Sequence, residues 1–429
     1  LRMQVLPLLK SARFVPRAAP MASATKSSSA NADVDPKELK RLVLRCVDDF
    51  SGSTAVQLIY IGDKLGLFTQ LSEAGRKGCN AAELASASGC HATYCRIWLE
   101  ACVAHSFVEC CEDVRDAGAH RTENASTIDS QADLMAAPTS RRYYLTGAQR
   151  EVLANEGGQH FQCGTAQLLA ASAQATPAII RDGFRNLDGG GVSWEQMGFD
   201  AREGIARMNA ATHRDLLPRW VDAICESRRV LGSGSASVLD VGCGHGESTL
   251  RLAAAFPACN FLGIDPDAES VAEANRQQQR RGVANVRFLQ VTLEDLCHDG
   301  APTFELVISY DCIHDIPDPV AALGMVRRII ARSGGVFLWF EPHGSDDPVE
   351  NREILGARLV AGIALNCVTT SMASGGRGVG AHGCTPARAE MVAKSVGFTS
   401  FRRERELVGA SFRNNVYVLG AEGGPGSRL

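Results

Sequence analysis

Ala236-Ser-Val-Leu-Asp-Val-Gly-Cys-Gly-His-Gly246 is the stretch that decides the fold of this chain. An apolar, β-branched run from Val238 to Val241 leads directly into glycines 242, 244 and 246. Glu247 to Phe256 then reads as a helix, so the glycines occupy a strand-to-helix turn. Glycine there permits positive φ and lets a ligand lie against bare amides at a helix N-terminus. Downstream, Phe261-Leu-Gly-Ile-Asp265 predicts a second strand that ends in a carboxylate. An acid at that edge suits hydrogen bonding to a ribose diol.

Working outward, strands are expected at 237–241, 260–264, 286–291, 304–309 and 334–340, with a closing pair at 398–402 and 413–419. Alternation with helical segments implies a mostly parallel sheet covered by helices on both faces. Upstream, one helix is expected from Asp35-Pro36 through Leu44 and a second from Ser53 to Leu65, ended by Gly66. Ala81–Ala85, a turn at Gly89 and Ala92–His105 form a helix-turn-helix pattern. Phe107–Cys110 and Arg142–Thr146 read as the strands of a wing, with 112–140 as an expanded wing loop. The chain thus divides into a tail (1–34), a winged-helix domain (35–150), a helical connector that caps a pocket (151–230) and an α/β domain (231–420). Within the connector, 202–230 reads as one long helix.

At 429 residues the chain exceeds one ordinary domain. Its 45% hydrophobic and 21% charged residues describe a soluble globular protein. The longest apolar runs are too short to span a membrane, so no membrane partner is expected. A net charge of −4 gives no general attraction to nucleic acid, which requires phosphate neutralisation. The second helix of the winged pattern offers Arg96 amid apolar bulk and does not suit base reading. Fifteen cysteines lie scattered without C-x-x-C spacing, so neither a metal site nor a disulfide framework is expected. The first 32 residues carry Arg2, Lys10, Arg13, Arg17 and Lys26, no acid, and many Ala and Ser. That composition fits an organellar transit peptide, mitochondrial or plastid, or equally a disordered tail of a cytoplasmic protein.

V-L-D-V-G-C-G-x-G with the later G-I-D resembles motif I and the second-strand acid of class I S-adenosylmethionine-dependent methyltransferases. The nicotinamide-binding turn usually reads G-x-G-x-x-G and lacks an acid at the place Asp240 fills. Gly62-Asp-Lys-Leu-Gly-Leu-Phe68 with the A-E-L-A segment resembles the N-terminal dimerisation domain of small-molecule O-methyltransferases. The resemblance implies an α/β, Rossmann-like methyltransferase sheet with an N-terminal, mostly helical winged-helix domain. It implies S-adenosyl-L-methionine as cofactor, a small-molecule methyl acceptor as partner, and a homodimer. Cofactor contacts would come from Asp240, Gly242, Cys243 and Gly244 at the methionine end, and from Asp265 with Pro266 at the ribose. Thr292 and Leu293 would face adenine, with Thr292 standing where the family has an acid and Glu294-Asp295 close by. Tyr310 and Asp311 would complete the set.

Ser309-Tyr-Asp-Cys-Ile-His-Asp-Ile-Pro-Asp318 resembles the His-Asp-Trp element of plant and fungal O-methyltransferases, with Ile316 in place of the tryptophan. The likeness makes His314 the general base for an acceptor hydroxyl, work that suits an imidazole titrating near neutrality. Glu341, in Leu338-Trp-Phe-Glu-Pro342, would orient the ring, and Asp315 would position the acceptor or the cofactor amine. Amine acceptors need only their neutral form, which leaves two alternatives to O-methylation. One is a small-molecule N-methyltransferase with a structural His314; the other is a non-catalytic winged-helix regulator that senses the cofactor. Residues 344–384 are expected to wall the pocket, with Ser374–Gly380 as a lid or surface loop and a capped helix from Thr385-Pro386.

Overall fold

The computed structural model describes residues 34–112, 141–298, 302–331, 334–354, 356–405, 407 and 414–421. The tail with its targeting reading and the wing loop expected over 112–140 lie outside the described residues, apart from their edges. The chain divides into two compact units after Ser51. The first holds the opening of α1 (Pro36–Lys64), where Leu39, Leu42, Val43, Leu44, Val47 and Phe50 are all exposed. Helix α1 is continuous where two helices were expected. A lone glycine costs a helix only about 1 kcal/mol, too little for Gly52 to end it.

The second unit opens with α2 (Leu67–Ala74), α3 (Ala81–Ser88) and α4 (Ala92–Ala104). Strands β1 (Glu109–Glu112) and β2 (Arg141–Tyr144) follow as an antiparallel pair. Asn80 and Glu83 close a reciprocal cap on α3, and Gly89 at positive φ ends it. Next come α5 (Gly147–Leu153), α6 (Cys163–Ala178) and the short α7 (Trp194–Met197). The long helix expected over 202–230 is instead three: α8 (Phe199–Asp215), α9 (Leu217–Ala223) and α10 (Cys225–Leu231). Pro218 lacks the amide that would continue α8, and Ile224 is extended between the other two. Helices α6 and α8 cross closely at glycines: a Cβ on Gly164 would lie 2.6 Å from Met208 N. Arg207 on α8 clamps Asp63 of α1 with two bonds of 2.6 and 2.8 Å.

The sheet elements alternate as expected: β3 (Ser237–Val241), α11 (Glu247–Ala255), β4 (Asn260–Asp265), α12 (Ala268–Arg281), β5 (Val286–Gln290), α13 (Leu293–Leu296) and β6 (Leu306–Tyr310). After a 3-10 turn (Ile313–Asp315) come α14 (Pro319–Ala331), β7 (Val336–Pro342), α15 (Ala357–Ala373), α16 (Pro386–Ser395), β8 (Ser400–Glu404) and β9 (Asn414–Gly420). Their order is β5-β4-β3-β6-β7-β9-β8, with β9 antiparallel to both neighbours. Side chains alternate between two cores: Val238, Phe261 and Ile308 face Leu250 and Trp220, while Leu239, Ile264 and Val307 face Leu323 and Ile330. Burial on both faces explains why these strands read as unbroken apolar runs. At α16 the cap differs from expectation, because the Thr385 hydroxyl donates to Asp346 Oδ1 at 2.6 Å. Among the described residues no helix is long and apolar enough to cross a membrane.

Candidate active site

The parallel strands end together, and their following loops enclose a cavity of ≈ 430 Å³. Ligands collect at such carboxyl ends, where the strand order reverses between β3 and β6. At the end of β3 the backbone of Gly242 has φ 74°, and a Cβ there would sit 2.2 Å from Cys312 Sγ. Only glycine fits that turn. Beneath it, Asp240 is buried and does not line the cavity. Its Oδ2 accepts from Ser248 Oγ and Thr249 Oγ1, each at 2.7 Å, which ties the first turn of α11 to β3.

Asp265 closes β4 on the cavity wall. Its two oxygens accept from the amides of Gly244 at 3.0 Å and Asp267 at 2.9 Å, so the acid also braces the glycine loop. Burial raises its pKa to about 6 against those two hydrogen bonds. Gly242, Cys243, Gly244, Pro266, Thr292, Leu293, Tyr310 and Asp311 line the same cavity, so the cofactor residues expected from sequence converge there with the exception of Asp240. Thr292 and Asp295 are occupied with each other as the cap of α13, whereas Glu294 faces the cavity.

The loop after β6 carries the reactive groups. Asp311 has φ 49°, a left-handed conformation uncommon outside glycine. Its Oδ1 accepts from Asn414 Nδ2 at 2.8 Å, and Asn414 Oδ1 accepts from the Tyr310 hydroxyl at 2.7 Å. Burial pushes the Asp311 carboxyl up to about 8. His314 follows on the 3-10 turn, buried, with Nδ1 2.5 Å from Glu341 Oε2 and Nε2 3.3 Å from Asp315 Oδ1. The other oxygen of Glu341 accepts from Trp339 Nε1 at 2.6 Å, which fixes the carboxylate. Burial opposes charge on the ring, but Asp315 and Glu341 outweigh it and hold the imidazole pKa well above 6.5. Asp315 lines the cavity; His314 and Glu341 stand behind it. The three acid–base residues expected from sequence are therefore in contact, with only Asp315 at the cavity face.

Sequence reasoning missed the α8 wall. Arg202, Ile205, Asn209 and His213 present one helical face to the cavity; the last three share that face by their spacing, but the spacing alone does not say that a cavity lies against it. Both ring nitrogens of His213 are buried without a hydrogen-bond partner, and burial lowers its pKa to about 4. Arg202 is engaged by Trp194 O at 2.8 Å, by Asp267 and by Glu269. With Arg202 so paired, Asp265, Asp311 and Asp315, whose charged forms burial disfavours, would gain an opposite charge from a cationic ligand at this wall.

The parallel sheet with its antiparallel closing strand and the glycine turn at its carboxyl end together make a doubly wound, Rossmann-like α/β fold. Residues 238–334 match the family model described as methyltransferase domain. The ubiquinone biosynthesis O-methyltransferase of Pseudomonas syringae pv. tomato is 31% identical over 148 residues, covering 32% of this chain and 61% of that protein. The chain thus spans about three fifths of the length of that curated relative. An O-methyltransferase family protein from Burkholderia thailandensis shares the fold with a TM-score of 0.60 and 13% identity, over 89% of this chain and 98% of that one. Human N-acetylserotonin methyltransferase in complex with S-adenosylmethionine gives 0.56 and 17%, over 91% and 99%.

Proposed function

We propose that the protein is an S-adenosylmethionine-dependent O-methyltransferase acting on the hydroxyl of a small molecule. The observation that carries the reading is a single cavity lined by the glycine loop, Asp265 and Asp315, with His314 and Glu341 directly behind. The methyltransferase domain and the O-methyltransferase relative support it. Gly242, Cys243 and Gly244 hold the methionine end and Asp265 the ribose hydroxyls. Thr292 and Leu293 border adenine. The carboxylate-rich wall favours a cationic sulfonium, which when bound supplies the methyl group as an electrophile.

Alignment of acceptor and donor carries most of such a reaction. The residues of this chain supply the proton path. Asp315 faces the acceptor, and the proton passes to the His314–Glu341 pair behind it. The pH dependence follows with a definite sign. Only neutral His314 takes a proton, and its pKa is held well above 6.5. kcat/KM is therefore expected to climb with pH through neutrality, about tenfold per unit below that pKa, and to level off above it. A profile recorded from pH 6 to 10 that stays flat would remove His314 from the proton path.

The reading is tested by calorimetry with S-adenosylmethionine and S-adenosylhomocysteine, then by methyl transfer from labelled cofactor to pooled phenols, acids and amines. Methyl ethers as products support it. Products methylated only at nitrogen, or no cofactor binding, overturn it.

We also infer a homodimer built on residues 35–110. The row of exposed apolar side chains on the opening of α1 supports it, since isolated soluble helices seldom leave so many uncovered. Light scattering is expected to give twice the chain mass, and a clean monomer at micromolar concentration would refute the pairing.

A further inference from the structure

Helix α15 brings Cys367 against the reactive loop. Cys367 Sγ, a ring nitrogen of His314 and a carboxylate oxygen of Asp315 all lie within 4.8 Å of one another. Cys367 and His314 are buried, and Asp315 is partly so. Each atom is a metal donor of a different kind: thiolate sulfur, imidazole nitrogen and carboxylate oxygen. That mixed set matches a borderline cation such as Zn²⁺, bound at roughly 2.0–2.3 Å per ligand.

Two further observations point to a ligand at this spot. Asp315 Oδ1 is buried, with His314 Nε2 3.3 Å away as its neighbour, an acceptor that a cation could take over in a low-dielectric site. The ring is also prepared from behind: Nδ1 meets Glu341 at 2.5 Å, and Glu341 is held by Trp339. With Nδ1 held by a carboxylate, Nε2 is turned toward Asp315 and offers its lone pair once its proton is lost, the arrangement by which proteins orient a metal-binding histidine. Because Asp315 also lines the cavity, a fourth position would open toward the acceptor.

We propose that His314 Nε2, Asp315 and Cys367 Sγ form a three-ligand site for Zn²⁺ or a cation of similar character. Binding needs no redox partner. The thiol gives up its proton to solvent, any proton on Nε2 is released likewise, and three coordinate bonds form. The ion also joins α15 to the loop after β6. Its catalytic consequence, and only that, rests on the function proposed above: the lone pair captured is the one His314 uses to take a proton, so occupancy inhibits methyl transfer.

The test uses the full chain, stripped with chelator and titrated with Zn²⁺ against a chromogenic competitor, then with Co²⁺ under anaerobic conditions. One ion per chain and a thiolate-to-cobalt charge-transfer band are expected. Cys367→Ala and Cys367→Ser should each lose the band and at least tenfold in Zn²⁺ affinity, while S-adenosylhomocysteine binding reports that the variants remain folded. No stoichiometric binding overturns the site, and so does binding that survives both substitutions, since it then belongs to another cysteine. A chain that binds Zn²⁺ through Cys367 but not S-adenosylhomocysteine keeps the metal site and rejects the methyltransferase reading; Tm then reports folding.

Discussion

Asp265→Ala is expected to weaken S-adenosylmethionine and S-adenosylhomocysteine binding at least 100-fold, or about 2.7 kcal/mol, while the chain stays folded. Two losses combine. The side chain that would take the ribose hydroxyls is gone, and charged hydrogen bonds of that kind contribute about 1.5–3 kcal/mol each. The amides of Gly244 and Asp267 also lose their acceptor, so the glycine turn slackens where the methionine end would lie. Asp265→Asn separates the two effects. It keeps an oxygen for one amide but removes the charge, and an intermediate affinity is the expected result. Calorimetry with both ligands and a melting curve decide the matter. Unchanged affinity in the alanine variant would sink the assignment of this cavity to the cofactor.

Replacing His314 is expected to lower single-turnover methyl transfer by roughly 100-fold or more, with S-adenosylhomocysteine affinity within a few-fold of the parent chain. The size follows from what general acid–base groups usually contribute. A second cost accompanies it. Glu341 is fully buried and Asp315 partly so, and their shared cationic partner would be absent. Breaking a buried pair by removing one member costs about 3–5 kcal/mol. His314→Ala is therefore expected to melt well below the parent, and His314→Gln, which retains a polar group at the ring position, serves as the folded control. Rates near the parent value in a folded His314→Gln protein would move the reaction to amine acceptors or the histidine to a structural role.

How much of this was legible follows from distance along the chain. The glycine turn, Asp265 and the strand positions came from local patterns, in which a strand, a turn and a helix succeed one another within a few residues. Each strand lies within two residues of its expected span. The pairing of His314 with Glu341 was also readable, because one lies just past, and the other at, the ends of neighbouring strands of a sheet whose order the motif implied. The role of α15 was not. Cys367 reaches Asp315 only after a helix, a strand, a 3-10 turn and most of a second helix have been packed, and no spacing rule encodes that meeting. His213 was hidden for another reason: a polar residue on a helix face is ordinarily solvated, and only the packing of α8 over the cavity makes it a wall. The break after α8 was in plain view at Pro218, yet the apolar periodicity on either side masked it.

Among the described residues, strand β9 comes after every other strand, yet it occupies an interior lane of the sheet between β7 and β8. It also delivers Asn414, the side chain that holds both Tyr310 and Asp311. On the ribosome, the glycine turn and Asp265 emerge long before this strand does. Until residue 420 clears the exit tunnel, β7 and β8 have no common neighbour, two edges stand open, and the reactive loop lacks its anchor. The site is therefore complete only once β9 has emerged, and a product clipped before it would expose adhesive edges and lack the Asn414 anchor. Quality control that removes such products would spare the cell a sticky, inert by-product.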